Sequence, residues 1–414
     1  MFPSETIERI LSFCDGKTLY NARNVNQNWR RIVDYLTVKT KIWKYCCYEE
    51  IPPDQMIEYL ERFNALPSED KFKSIYENWL TWQDITNNVD FDIMLCPADV
   101  PRITCLAAAG RFIAVGSEDG KVRLYNDSWD FLYTTRHVAV KVLDITFFND
   151  DRDLYIGDVW PFLIISYKCS TLYLMDYEDR LLDPFIVHDV KLYSVYKKYL
   201  CLVKTGGRIS VVEWKSHPDG RKRLLESTYV RIYSPNEVTG VSIWNGLCLF
   251  LMNSDVKTLQ YDVQPISAVE KKTRLKFCVK SDIRMEQTCQ IFRRNIIISL
   301  SNDKDRQLME LFILGSSREY SKKLFHPWEV LESYITCMYL YGNTFILGVD
   351  IGDVYVYNVD SWKTFDIRKY QEKLHIGKHP IISIDVLEQK GERKFLIASS
   401  FNIHRVIGFS IVRF

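Results

Sequence analysis

Apolar side chains recur at two different periods along the chain, and the change from one to the other falls near residue 89. Before that point the spacing is helical. Ile7, Ile10, Leu11 and Cys14 fall on one face of a helix. Pro3 suits its first turn, where a missing N–H costs nothing, and Glu5 complements the positive end of the helix dipole. Asp15-Gly16 ends this helix, Thr18 is the expected cap of a short second one through Leu19 and Ala22, and a third presents Trp29, Ile32, Val33 and Leu36. Three such helices carry more apolar surface than they can bury alone, because cores below about 40 to 60 residues are marginal. Pro52-Pro53 then interrupts the chain, Asp54 can cap, and Met56, Ile57, Leu60 and Phe63 form a further apolar face. After Pro67-Ser68, the residues Phe72, Ile75, Tyr76 and Trp79 fall at i, i+3, i+4 and i+7. A linker this rich in aromatic and aliphatic residues is expected to be stiff, since a flexible tether is built from Gly, Ser and polar residues.

From Val89 the period becomes 2, and a unit repeats. Each copy has an alternating strand, a strongly apolar strand, a Gly/Asp/Asn turn, and a strand that closes on an aromatic or polar residue. Residues 103–126 and 335–358 are the clearest copies and align almost without gaps. The third strand of each copy is expected to start at Val122, Leu172, Ile209, Thr258, Leu308, Val354 and Val406. These starts lie about 47 residues apart on average, the spacing of a four-stranded repeat. The final copy lacks a fourth strand, and Asp90-Phe91-Asp92-Ile93-Met94-Leu95 alternates in the manner needed to supply it. Seven copies emerge over most of the chain.

Composition narrows what such an assembly does. Hydrophobic residues make up 47% and aromatic residues 14% of the 414, enough for a large core. Lys and Arg number 54 against 53 Asp and Glu, so the balance favours neither nucleic acid nor an acidic membrane surface as a partner. Eleven cysteines occur without a Cys-x-x-Cys pair, Cys46-Cys47 being vicinal. An odd, unpatterned set argues against a disulfide framework and a zinc site, and for a reducing compartment. No apolar run approaches the roughly 18 residues of a membrane span, and the first helix lacks a signal-like apolar stretch. The expectation is a soluble protein of the cytoplasm or nucleus.

Candidate chemistry is sparse. His375 and His379 are spaced i, i+4, but Gly377 and Pro380 put them on a loop leading to a strand, which suits a hydrogen-bonded histidine better than a metal ligand. Gly206-Gly207-Arg208 and His217-Pro218-Asp219-Gly220 read as turns, and Arg221-Lys222-Arg223 as a solvated loop tip. No nucleophile, paired-carboxylate or metal constellation stands out, so no catalytic residue, metal or cofactor is expected.

Taken together, Phe2-Pro3-Ser4-Glu5, Ile10-Leu11-Ser12-Phe13-Cys14-Asp15, Leu19, Val25-Asn26-Gln27-Asn28-Trp29 and Ile42-Trp43 resemble an F-box. The repeats resemble a degenerate WD-repeat propeller, with Tyr125-Asn126, Met175-Asp176, Tyr261-Asp262 and Tyr357-Asn358 in place of the closing Trp-Asp. The resemblance implies a multidomain chain: an all-α F-box over 1–50, a helical linker over 51–88, and an all-β, seven-bladed WD-repeat-like propeller over 89–414.

An F-box/WD-repeat protein of this kind is a substrate receptor, not an enzyme, in a SKP–cullin–F-box ubiquitin ligase. Its F-box docks the SKP-type adaptor, and through it a cullin, while the propeller binds the target protein. By matched position, adaptor contact falls on Pro3, Ile7, Ile10, Leu11, Leu19, Val25, Trp29 and Ile32, with some of these forming the domain's own core. The alternative is a scaffold that binds the adaptor without ubiquitin transfer. A substrate-binding face is implied where second and third strands join, at Glu118, Asp119, Arg208, Asp255, Asp303, Arg306, Asp350 and Asp353, with Lys304 and Asp305 beside them. Carboxylates outnumber cations there, which favours a basic or neutral segment over a phosphorylated one. The same residues also suit turns.

Overall fold

The computed structural model of the protein describes residues 3–62, 68–83, 89–94, 101–136, 138–148, 162–176, 184–196, 199–206, 209–216, 222–230, 238–244, 247–253, 259–265, 277–281, 286–293, 295–303, 306–315, 319–389 and 392–408. Six helices come first: α1 (Ser4–Leu11), α2 (Gly16–Ala22), α3 (Gln27–Thr40), α4 (Ile42–Glu50), α5 (Pro53–Arg62) and α6 (Ser68–Gln83). Pro3 precedes α1 as its cap residue. The cap of α2 is Asp15, not Thr18: its backbone is extended, and Oδ1 accepts the Thr18 N–H at 2.7 Å. The direction of this bond follows from chemistry, since Thr18 contributes a backbone donor left orphaned at the helix start. Asn26 caps α3 in the same way, accepting the Trp29 N–H at 2.9 Å.

Leu11, Leu19, Val33, Leu36, Trp43 and Cys47 of the first four helices share one core with Ile51, Met56, Tyr59, Ile75 and Tyr76. The boundary expected at residue 50 therefore does not separate two cores. Glu50, at the end of α4, accepts the Gly16 N–H at 2.7 Å and the Tyr76 hydroxyl, so one carboxylate joins α2, α4 and α6. Arg23 makes ion pairs with Asp34 (3.0 Å) and Glu77 (3.2 Å), linking α2 to α3 and α6.

Beyond the helices, the strands of the described residues group into seven four-stranded sheets. Six of them take their strands in chain order, over 103–134, 142–187, 190–230, 238–281, 286–325 and 335–375. The seventh takes three strands from 381–408 and its fourth from Val89–Met94, which lies beside Ile403–Gly408. The early strand thus closes the last sheet, as the sequence pattern requires. Neighbouring first strands are in contact for sheets one and two, two and three, three and four, four and five, and seven and one. Sheets five and six share a core of Ile298, Leu311, Phe345, Leu347 and Tyr357. The Thr336 hydroxyl donates to the Ile381 carbonyl at 2.5 Å between sheets six and seven. The sheets therefore form a closed ring, a β-propeller.

The third strands begin at Val122, Thr171, Ile209, Leu259, Arg306, Asp353 and Ile403, each within three residues of expectation. A register slip at the start of the first strand recurs, at Ile103/Cys105, Val142/Asp144, Val190/Leu192, Val238/Gly240, Gln287/Cys289 and Ile381/Ser383. Such a bulge bends the strand and re-aims its side chains. In the two clearest repeats, the second strand has glycine opposite the cysteine of this segment: a Cβ on Gly116 would lie 2.5 Å from Cys105 Sγ, and one on Gly348 would lie 2.7 Å from Cys337 Sγ.

Candidate functional sites

On the helical unit, the residues expected at the adaptor surface divide into two sets. Ile7, Leu11, Leu19 and Ile32 are buried in the core. Pro3 is exposed, Ile10 is 51% and Val25 60% exposed, and Trp29 is half-buried against the core. Phe13 stands out further, at 84% exposure one helical turn beyond Ile10, although the sequence reading did not count it as a contact. Its signal was present: an aromatic placed two residues after Leu11, the last apolar residue of α1. Large apolar side chains left this open on a small helical domain mark an association surface.

The propeller's second candidate site follows from topology. Because successive strands of a sheet alternate direction, the turn between second and third strands lies at the same end as the connection to the next sheet. Hydrogen bonds confirm this: Glu118 N–H donates to Arg102 O at 3.0 Å, Lys168 N–H to Lys141 O at 3.1 Å, Asp350 N–H to Tyr334 O at 2.9 Å, and Ile376 N–H to Gly352 O at 3.0 Å. Of the residues expected on this face, Arg208, Lys304 and Asp305 lie outside the described residues, as does Asp255, while Asp303 is placed by its backbone alone. Arg306 is exposed at the start of a third strand.

Several of the described carboxylates at this end have partners within the fold. Asp119 pairs with Arg123 at 2.8 Å and accepts from Ser117. Burial pushes this carboxyl up, but those bonds outweigh it and hold it at about 2. Asp353 is buried between Lys373 Nζ at 2.9 Å and His375 Nδ1 at 2.6 Å. Burial raises its pKa, and the hydrogen bonds to His375 and Lys373 more than reverse that, so it lies below the usual carboxylate range. Asp350 accepts the Tyr334 N–H at 3.1 Å, and Glu118 stands 3.6 Å from Arg102. His375 ends the fourth strand of sheet six as a hydrogen-bonded side chain, while His379 follows in the connection to sheet seven and contacts the Phe401 ring at 4.9 Å. Among the described residues, no three His, Cys, Asp or Glu side chains converge to hold a metal ion.

Sequence reasoning missed a polar set on the first strands. Asp385 accepts from Ala108 N–H (2.7 Å), Tyr339 Oη–H (2.8 Å) and Val386 N–H (2.8 Å), joining sheets six, seven and one. Tyr193 donates to Asp144 at 2.7 Å across sheets three and two. Burial pushes Asp385 up to about 6, and the charge of Asp144 adds to this; Asp144 is itself raised by burial. The legible clue was a carboxylate inside an apolar run, in Leu143-Asp144-Ile145 and Ile384-Asp385-Val386. Every oxygen that accepts here does so from a neighbouring sheet or its own backbone, so the set holds the ring together.

The described residues form a helical unit that precedes a β-propeller in the chain. Residues 1–41 match the F-box domain family. A segment that matches the F-box domain family is thus followed by a β-propeller. No curated protein matches it. Among solved structures, it is similar to a chain of the mitotic checkpoint complex, at 11% identity over 78% of this chain and 94% of that one, with a TM-score of 0.52. It also aligns with the computationally designed Ika8 protein, at 12% identity over 76% of this chain and 98% of that one, with a TM-score of 0.46. The former likeness supports the propeller fold.

Proposed function

We propose that the protein is the substrate-recognition subunit of a SKP–cullin–F-box ubiquitin ligase, with no catalysis of its own. On this reading each four-stranded sheet is one blade, giving a seven-bladed WD-repeat-like propeller that binds the target protein in the cytoplasm or nucleus. The observation that carries the proposal is the surface of the F-box domain: Ile10, Phe13 and Val25 remain largely exposed although the domain has a filled core. A self-sufficient helical domain gains nothing from such side chains, whereas an adaptor-binding one needs them. The sharing of one core by α1–α6 supports transmission of the adaptor's position through the helices that precede the propeller.

The test is capture of a SKP-type adaptor and a cullin by the full chain, compared with the doublet Ile10→Asp with Val25→Asp. The wild type is expected to capture both, and the doublet to lose both while keeping its melting temperature. Undiminished capture by the doublet would exclude this surface. Adaptor capture without cullin would favour the scaffold reading.

A further inference from the structure

The end of the propeller where second and third strands join carries an arc of exposed apolar side chains that the helical docking unit does not explain. Trp328 (49% exposed), in the helix α7 (Pro327–Leu331) between sheets five and six, stacks on Tyr334 at 4.8 Å. The backbone N–H of Tyr334 meets Asp350, whose neighbour Ile351 is 47% exposed. His379 lies in the next connection and contacts Phe401, 54% exposed in the following turn. The Ser400 carbonyl beside it accepts the Ile103 N–H at 2.8 Å, which carries the arc to sheet one. These residues come from successive sheets and all belong to the propeller unit.

Electrostatics selects the occupant. Asp353, Asp119 and Glu118 stand beside cations of the fold and Asp350 accepts the Tyr334 N–H, whereas Lys378, beside His379, and Lys141 and Lys168 farther round the same end pair with no described carboxylate. The acids Glu329 and Glu332 sit at the opposite extremity, on and after α7, and exposed Asp189 lies farther round, between sheets two and three. The half of the arc around Ile351 and Phe401 therefore presents apolar anchors beside a cation.

We propose that this arc binds an extended segment of another protein, with apolar side chains seated on Ile351 and Phe401 and acidic residues beside Lys378. This rests on the receptor reading and names its substrate class. Apolar anchors supply affinity and the charge supplies orientation and encounter rate.

Two fluorescein-labelled pools of synthetic 12-residue peptides test it with the full chain by anisotropy. Both are rich in Leu, Ile and Phe; one carries Asp and Glu, the other Lys and Arg. The acidic pool is expected to bind, to weaken at least tenfold in both Ile351→Asp and Phe401→Asp, and to lose its advantage over the basic pool in Lys378→Glu. Phe185→Asp, on an outer strand, is expected to leave binding unchanged. Should either arc substitution lower the melting temperature, Lys378→Glu and His379→Ala, both at exposed side chains, decide the matter by the same readout. Equal binding of the two pools, or binding insensitive to the arc variants, would overturn the proposal. Adaptor capture is measured on the same preparations. Failure of the pools with capture intact refutes the arc alone, and loss of capture refutes the receptor reading independently.

Discussion

A Cβ placed on Gly16 would lie 2.3 Å from Cζ of Tyr76, so the start of α2 and the middle of α6 approach as closely as two residues can only when one has no side chain. The contact is fixed from both sides. Glu50 accepts the Gly16 N–H and the Tyr76 hydroxyl, while the Tyr76 ring rests 5.3 Å from Trp43 and 5.4 Å from Trp79. An F-box helix and a helix beyond the F-box are therefore packed as one body.

Gly16→Ala should accordingly destabilise the helical unit by about 1–3 kcal/mol, the usual cost of forcing extra volume into a filled core. Thermal unfolding of the full chain, followed through tryptophan fluorescence, checks this. Tyr76→Phe leaves the packing but removes the bond to Glu50, and is expected to cost less than Gly16→Ala. An alanine at 16 that leaves the transition unmoved would show that the two helices are not locked together.

Burial predicts a clean division among the F-box residues. Leu11→Ala and Leu19→Ala remove fully buried side chains and should each cost about 2–5 kcal/mol, lowering the melting temperature along with adaptor capture. Ile10→Ala and Phe13→Ala should leave melting nearly unchanged and weaken capture alone. A paired measurement of melting temperature and adaptor affinity on all four variants decides whether motif position or exposure governs contact.

Period and turn chemistry made the fold legible. The change from helical to alternating spacing at Val89, and the recurrence of Val122, Ile209 and Val354 at or one residue beyond the starts of third strands, come from backbone geometry that any sequence must obey in these elements. The charged face was not legible, because a sequence shows which carboxylates occupy turns but not what they reach. Asp353 meets His375, 22 residues away, and Asp119 is answered by an arginine one strand further on. Nor could the register slips be read, since they arise from the fit of first to second strands and leave no fixed residue type behind: the skipped positions are Thr104, Leu143, Lys191, Thr239, Thr288 and Ile382.

Ring closure by the strand Val89–Met94 can be tested without knowing its register. Among the described residues the strand has one neighbour, Ile403–Gly408, so alternate N–H groups face it and the others face away. Of Asp92→Pro and Ile93→Pro, one should remove a ladder bond and cost about 3 kcal/mol or more, and the other should cost clearly less. Equal effects of the two substitutions on thermal unfolding would contradict the pairing.

The carboxyl of Asp385 offers a test of the first-strand network through pH. Burial raises its pKa to about 6, while the bonds from Ala108, Tyr339 and Val386 act in the opposite sense. Its folded value lies above the unfolded one of about 3.9, so between those values the folded state binds more protons than the unfolded state. Stability from this group is therefore greatest below about pH 4 and declines as pH rises through about 6. The same scan carries an opposing contribution from Asp119 and Asp353, whose lowered pKa values give stability above the unfolded value that is lost in acid. Comparison with Tyr339→Phe isolates Asp385. Removing a bond that favours the ionised form should raise the carboxyl's midpoint above about 6 and steepen the loss of stability towards neutral pH. Carboxyl carbon chemical shifts across pH 3 to 8, read with the unfolding free energy of both proteins, measure the two effects together. A midpoint for Asp385 near 4, or one that falls in Tyr339→Phe, would show that the carboxylate is solvated and does not join the sheets.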